Sequence, residues 1–219
     1  MQTECHFSLS VMCDDYATHI LNALRQATLD HIQSRTDALS TTYRGTRCHV
    51  LDALRSVFGL VNDEKTHITM EATFTNSPDD PVGARSARPP VCKDCPSDTS
   101  GAGSVRSQAK HGEPDDTAET IGSPLRTRKA RPYDVRARIA FYPLGIVDYA
   151  GHVSHVVSLA QQGGLYQTAS PYGAELFGGV QDLFDTFDAI LTYAEAQLEH
   201  YVLQVTLSIN SPTKEEELS

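Results

Sequence analysis

The chain has 219 residues, of which 40% are hydrophobic, so it is long and apolar enough to form one or two folded domains. Its formal net charge of −10 argues against nucleic-acid binding, which needs a basic surface. No run of about 18 apolar residues is present, and residues 1–4 do not resemble a signal peptide. With five cysteines, an odd number that favours a reducing compartment, we expect a cytoplasmic protein without membrane insertion.

The first half of the chain shows strand and helix patterns in alternation. Residues 5–12 alternate apolar and polar side chains, as a half-buried strand does. Asp14 and Asp15 then offer an N-cap and a first-turn acid, and apolar residues follow from Tyr16 at helical spacing. The patterns farther on predict a hairpin, a second amphipathic helix and a last strand, over residues 31–36, 39–45, 50–61 and 68–75.

The second half repeats this order. A strand over residues 136–144 is followed by a helix that starts at Asp148. A hairpin with strands over residues 165–168 and 172–178, a helix over 180–197 and a strand over 201–209 complete the repeat. The order β-α-β-β-α-β is that of the ferredoxin-like fold. We therefore predict an α+β protein with two tandem ferredoxin-like repeats and antiparallel sheets, over residues 1–78 and 135–219.

The sequence itself supports a duplication. The pentapeptide DYATH that begins at Asp15 returns as DYAGH at Asp148, and the same offset carries Gly45 onto Gly178. A constant register over separated positions indicates two copies of one folding unit. Duplicated units often carry duplicated pockets, so a functional site is expected in both.

Residues 79–134 separate the two predicted repeats. They are rich in Pro, Ser and Gly and lack periodicity, so they are predicted to form a long disordered linker. The linker holds a CxxC pair, Cys92 and Cys95, but a tetrahedral zinc site needs four ligands. We expect neither a metal nor a cofactor.

The predicted sheets have one face that the helices leave uncovered. The side chains of that face include Phe and Tyr as well as Thr and Ser. Sheet-on-sheet packing between repeats, between chains, or both is therefore expected, and a homodimer is predicted.

The sequence offers little support for catalysis. It lacks a glycine-rich phosphate loop and the G-x-S-x-G motif of serine hydrolases. His19 and His152 recur without a recurring partner, which is typical of structural histidines. Glu175 replaces Thr42 of the first repeat, and two interpretations remain open for it: an exposed strand residue or a ligand group in a pocket.

Several short segments, taken in order, resemble the YkoF-type thiamin/hydroxymethylpyrimidine-binding family. In the second repeat these are Phe141-Tyr142-Pro143-Leu144, Asp148-Tyr149, Tyr172 with Glu175-Leu176, and Asn210-Ser211-Pro212. In the first repeat they include Phe7-Ser8-Leu9, Thr36-Asp37, Arg44-Gly45 and His67-Ile68. One departure is Ser10-Val11, which stands where the family has Tyr-Pro.

The resemblance implies tandem ferredoxin-like repeats, homodimerisation and one small-molecule pocket per repeat between sheet and helices. It implies binding of thiamin or its hydroxymethylpyrimidine moiety without catalysis, in vitamin or precursor salvage, with a functional link to a transporter.

Such ligands would need an apolar slot with a few polar groups. Backbone groups at Leu9 and Tyr142 could bond the edge of a pyrimidine, and hydroxyls of the third strand could add further bonds. A thiazolium cation would favour a nearby carboxylate, so replacing Glu175 by Gln should weaken thiamin binding if that side chain faces the ligand. The candidate ligand-binding residues are Leu9, Ser10, Asp15, Ser40, Thr41, Thr42, Tyr142, Asp148, Tyr172 and Glu175.

Two other function classes remain open. The uncovered sheet faces could serve a protein-interaction module, in which case both cores should be apolar and filled. A small-heterocycle enzyme would use Glu175 and His152 as acid and base. Polar strand residues that face a cavity would favour ligand binding instead.

Overall fold

The structure, a computed structural model, describes residues 2–63, 65–77, 134–170 and 173–212. The first repeat consists of β1 (Gln2–Val11), α1 (Tyr16–Gln26), β2 (Gln33–Thr36), β3 (Thr41–Gly45), α2 (Arg47–Val61) and β4 (Ile68–Ser77). The second consists of β5 (Asp134–Leu144), α3 (Tyr149–Gln162), β6 (Tyr166–Ser170), β7 (Gly173–Gly179), α4 (Val180–Gln197) and β8 (His200–Ile209). The two predicted ferredoxin-like repeats are confirmed. The predicted linker with Cys92 and Cys95 lies outside the described residues, except for Asp134.

All eight strands belong to one sheet, with the order β2-β3-β1-β4-β8-β5-β7-β6. The repeats join where β4 pairs antiparallel with β8, from Ile68 opposite Ile209 to Thr75 opposite Val202. Of the alternatives expected for sheet-on-sheet packing, that between the repeats is therefore wrong, because they meet edge to edge. The physical reason is that each four-stranded sheet would otherwise expose the unpaired backbone groups of an edge strand. Packing between chains stays a prediction.

The four helices cover one face of this sheet. The contacts of α1 and α2 with β1, and of α3 and α4 with β5, bury the apolar side chains that alternate along the strands. The largest fully buried side chains include Tyr43, Phe58, Phe74, Phe187 and Tyr201. Because α2 also contacts α4, one core runs through both repeats.

The other face of the sheet, here called the open face, is not covered by any described element. In β8, for example, Gln204 and Thr206 are exposed on this face while Val205 between them is buried. Among the described cysteines, Cys5 and Cys13 are free, whereas Cys48 is disulfide-bonded and departs from the expectation of reduced thiols. No described helix has the length and apolar character needed to cross a membrane.

Candidate functional site

A cavity of about 220 Å³ lies between sheet and helix in the second repeat. Its walls come from the second half of β5, the β6–β7 hairpin and the inner side of α3. The residues that line it are Ile139, Ala140, Phe141, Tyr142, Val153, Val156, Val157, Ala169, Ser170, Gly173 and Ala174. The cavity is open at one side, so a small ligand has a path into it.

Local sequence fixes the position of α3 over the cavity. The Asp148 carboxylate accepts a hydrogen bond from the Gly151 backbone nitrogen at 3.2 Å and caps the helix. A side chain at position 151 would lie 2.7 Å from that carboxylate, so glycine leaves room for the cap. Val156 is buried in the core, and Val153 and Val157 on the same helix pack against it from the cavity side.

Small residues on the hairpin leave the space open. Strand register places Ala169 and Ala174 of the second repeat where the first repeat has Thr36 and Thr41, whose hydroxyls form a 3.0 Å hydrogen bond. Replacing two threonines by alanines removes side-chain volume from this wall. The difference between the repeats thus explains why the second one has room for a ligand here.

The cavity is mainly apolar, and none of the described residues that line it is charged. Phe141 and the α3 valines offer flat apolar surface, whereas Ser170 and the strand backbone supply polar atoms at the edges. This combination suits a small uncharged ring with hydrogen-bonding groups on its rim. The described residues contain no group of three or more side chains placed to hold a metal ion.

Of the sequence-predicted site residues, Tyr142 alone is among those that line this cavity. Its side chain, 47% exposed, lies opposite Val202 on the open face, because it alternates with the buried Phe141. Leu9, Ser10, Ser40 and Thr41 occupy the corresponding region of the first repeat. There Leu9 is partly buried against the core, Thr41 is buried, and Ser10 is exposed. The register supports the correspondence, because Ser10 pairs with Thr69 in β4 as Tyr142 pairs with Val202 in β8.

The two predicted helix-start acids lie at the surface. Asp15 is the N-cap residue of α1 but makes no side-chain capping bond, and Asp148 caps α3 as described above. Both are exposed. Tyr172 lies outside the described residues.

Thr42 and Glu175 lie on the open face, away from the cavity. Glu175 accepts a hydrogen bond from Arg138 at 2.9 Å, and Thr42 is bonded to the His6 ring at 3.1 Å. Glu175 instead lines a second depression of about 220 Å³ on the open face, together with Arg136, Arg138, Gln167, Thr206 and Ser208. The sheet therefore separates Glu175 from the cavity beneath α3.

His152 lies on the helix side of the sheet. It is hydrogen-bonded to the Tyr193 hydroxyl at 2.8 Å, and the His155 ring stacks on Tyr193 at 4.0 Å. Because Glu175 is on the opposite face, these two groups cannot act together on one substrate. The geometry thus argues against the acid–base pair that an enzyme would need.

The sequence interpretation missed the walls formed by α3 and the hairpin. Val153, Val156 and Val157 carried a signal, since they form an apolar stripe at helical spacing, but such stripes usually indicate core. Ala169 and Ala174 could have been found by comparing the repeats and noting which positions lose volume.

The comparisons with known proteins agree with this structure. The model of the YKOF-related family matches residues 2–80 and 134–214. The chain belongs to the YkoF-related family. It is 30% identical over 208 residues to a Bacillus subtilis (strain 168) protein named "Putative HMP/thiamine-binding protein YkoF", a match that covers 95% of this chain and 90% of that protein. The resemblance noted in the sequence is thereby confirmed, and between the repeats the family model omits residues 81–133.

Proposed function

We propose that this chain binds hydroxymethylpyrimidine, or thiamin through its pyrimidine ring, in the cavity beneath α3, and that it does so without catalysis. The observation that carries the proposal is an uncharged, mainly apolar cavity whose rim supplies polar backbone groups. The name of the Bacillus subtilis relative supports the ligand class.

The ring would lie between Phe141 and the α3 valines, with its polar edge toward the backbone of β5. A thiazolium group has no carboxylate inside the cavity to neutralise it. In thiamin it would therefore remain at the open side of the cavity. On this geometry Glu175 takes no part in binding.

We propose a second, tighter-fitting pocket in the first repeat, beside Leu9, Ser10, Ser40 and Thr41. The hydrogen-bonded Thr36 and Thr41 hydroxyls, of which Thr41 is buried, narrow that region, so the two sites would be unequal. We further propose a cytoplasmic homodimer formed through the open face, which serves vitamin or precursor salvage beside a transporter. The uncovered sheet face supports the dimer.

The binding proposal is tested by filling the cavity. Val153→Phe adds an aromatic ring on the cavity wall, and Ile20→Phe places the same ring at the corresponding position of α1. Calorimetric titration with hydroxymethylpyrimidine should show at least a tenfold loss of affinity at one site for Val153→Phe, which is about 1.4 kcal/mol. Ile20→Phe should spare that site and affect only the first repeat.

Glu175→Gln is the control on the opposite face of the sheet. It should leave the affinity for both ligands unchanged, whereas a weaker affinity for thiamin would place the ligand on the open face. If neither ligand produces heat with the unaltered protein, the binding proposal fails, and the uncovered sheet favours a protein-interaction module.

A further inference from the structure

The junction between the repeats has two chemically different ends. This junction, here called the seam, consists of β4 paired with β8 and of α2 packed against α4. From the seam outward, the strands of the two repeats follow in the same order, β4-β1-β3-β2 on one side and β8-β5-β7-β6 on the other. The two repeats are therefore related by an approximate two-fold axis, and each residue at one end of the seam has a repeat counterpart at the other end. If the seam only required apolar burial, both ends could be alike.

One end is apolar. Ile68 of β4 pairs with Ile209 of β8, and Val135 of β5 directly precedes Arg136, which pairs with Ser208 of β8. Ile68, Ile209 and Val135 are buried, with at most 2% exposure. The core of this end is ordinary hydrophobic packing, which would accept many partners of similar shape. At its margin, His67 is hydrogen-bonded to Ser208 at 3.0 Å and Asn210 donates to the Thr66 carbonyl at 3.1 Å.

The other end is polar at the same positions. The counterparts of Ile68, Ile209 and Val135 are Tyr201, Asn76 and Thr3. The Asn76 amide oxygen accepts from the Tyr201 backbone nitrogen at 3.3 Å, and its nitrogen donates to the Glu199 carbonyl. The Thr3 hydroxyl donates to Glu195 at 2.8 Å, so both repeats contribute to one network.

A nearly buried arginine completes the polar end. Arg47, at the start of α2, is only 9% exposed and donates to Asp188 at 2.7 Å and to Glu195, both on α4. Burial by itself would lower the pKa of Arg47, but the two carboxylates outweigh it and the pKa is raised. The repeat counterparts of Arg47, Asp188 and Glu195 are Val180, Arg55 and Asn62, and Arg55 donates instead to Asp52 and Gln181.

We infer that this polar end makes the seam of the first repeat specific for a second repeat, rather than for another copy of itself. Two first repeats joined through β4 would set Arg47 of each against Arg55 and Asn62 of the other. Two second repeats joined through β8 would set Asp188 and Glu195 against Val180. Either pairing leaves a charge poorly solvated and without its partner, which is strongly unfavourable.

Such selection answers a problem that the duplication creates. Both repeats have the same fold and an edge strand of ten residues with the same alternation of buried side chains, and edge strands pair readily with one another. Backbone pairing and apolar burial do not distinguish β4–β8 from β4–β4 or β8–β8. The Arg47–Asp188–Glu195 cluster does, because its charges are divided between the repeats.

Charge reversal in the full chain tests this inference. Arg47→Glu puts three carboxylates together and should lower the melting temperature by about 10 °C or more. Adding Asp188→Lys and Glu195→Arg reverses the charge pattern and should restore most of that loss. Ile68→Ala and Ile209→Ala, at the apolar end, should each destabilise the chain, and combining them should restore nothing. A triple variant no more stable than Arg47→Glu alone would overturn the inference.

A second variant separates selection from stability. Thr3→Val, Arg47→Val, Asp188→Arg and Glu195→Asn together give these positions of the polar end the residues of their counterparts. Light scattering over a range of concentrations should then show species larger than those of the unaltered chain, because either repeat can pair with its own kind. If the variant folds and keeps the mass distribution of the unaltered chain, the charges do not select the partner.

Discussion

Tyr43 carries a hydroxyl into the core of the first repeat, where the second repeat has Leu176. The ring is fully buried and meets Phe7 edge-on at 4.8 Å, but the hydroxyl has no hydrogen-bond partner among the described residues. An unpaired buried hydroxyl costs free energy that an apolar group does not. We therefore expect Tyr43→Phe to unfold at equal or higher urea concentration, a change of about 0–1 kcal/mol at neutral pH.

Tyr43→Phe should also change how the free energy of unfolding falls with pH in the alkaline range. Burial, with a smaller contribution from Cys5, raises the pKa of Tyr43 from its usual value of 10 to about 12. Between pH 10 and 12 the Tyr43 hydroxyl loses its proton more readily in the unfolded chain than in the folded one. Its contribution to the free energy of unfolding is therefore fully present below pH 10 and is lost as the pH rises toward 12. Urea unfolding at several pH values should show a smaller loss for Tyr43→Phe, and an unchanged slope would place the hydroxyl in contact with water.

The face on which a residue lies was harder to predict than its position along the chain. The sequence correctly placed Glu175 at the position of Thr42, and the strand register confirms this, since Arg138 pairs with Glu175 as His6 pairs with Thr42. Alternate residues of a strand face opposite sides of the sheet, so the face of Glu175 depends on which residues of β7 point toward the core. A shift of the predicted strand by one residue would assign Glu175 to the opposite face. Glycines at both ends of β7 left few apolar side chains from which to read it.

Among the elements, the β6–β7 hairpin most directly shapes the cavity. Gly173 has a φ of 137°, and a β-carbon added there would lie 2.1 Å from the Ile139 carbonyl oxygen. Glycine thus allows β7 to begin against β5 at the cavity wall. Gly173→Ala should destabilise the protein by about 3 kcal/mol or more, from backbone strain and this clash together.

Thermal unfolding of Gly173→Ala measures that cost. The matched control is Ser40→Ala, at the corresponding position of the first repeat, where a side chain is already accommodated. This control should change the melting temperature by only a few degrees. Similar losses for both variants would show that the hairpin turn of the second repeat has no special requirement for glycine.

Helices and strands could be predicted well from periodicity. The predicted helix over residues 180–197 is observed unchanged as α4, and the predicted strand over residues 201–209 differs from β8 by one residue. β1 and α2 each begin three residues earlier than predicted, at Gln2 and Arg47, and the strands of the first hairpin, β2 and β3, each begin two residues later, at Gln33 and Thr41. Both strands of this hairpin are short and largely polar, so local patterns define their ends poorly.

At the scale of the whole molecule, the sequence predicted two repeats but not how they join. Apolar residues on both predicted sheets suggested face-to-face packing, whereas the structure pairs β4 with β8. The information that favours edge pairing lies in long-range contacts such as Arg47 with Glu195, which are 148 positions apart and have no signature in local periodicity. A pocket between sheet and helices was expected in each repeat, but most residues that line the observed cavity were missed, because its walls come from four separate elements.

The joined sheet makes one broad open face, and this is the surface through which we predict homodimerisation. Eight strands at about 4.8 Å spacing span roughly 38 Å, enough to bury the area of a stable interface. Its apolar side chains, Ala140, Phe177 and Val202, lie mainly on the second repeat.

Light scattering at micromolar concentration should give twice the chain mass of 23.9 kDa. Val202→Arg, on the central strand β8 of this face, should return the protein to the chain mass, because a guanidinium buried opposite Thr75 and Tyr142 has no carboxylate partner and opposes association. Gln161→Arg, exposed on α3, should leave the dimer intact, and a monomeric unaltered protein would contradict the prediction.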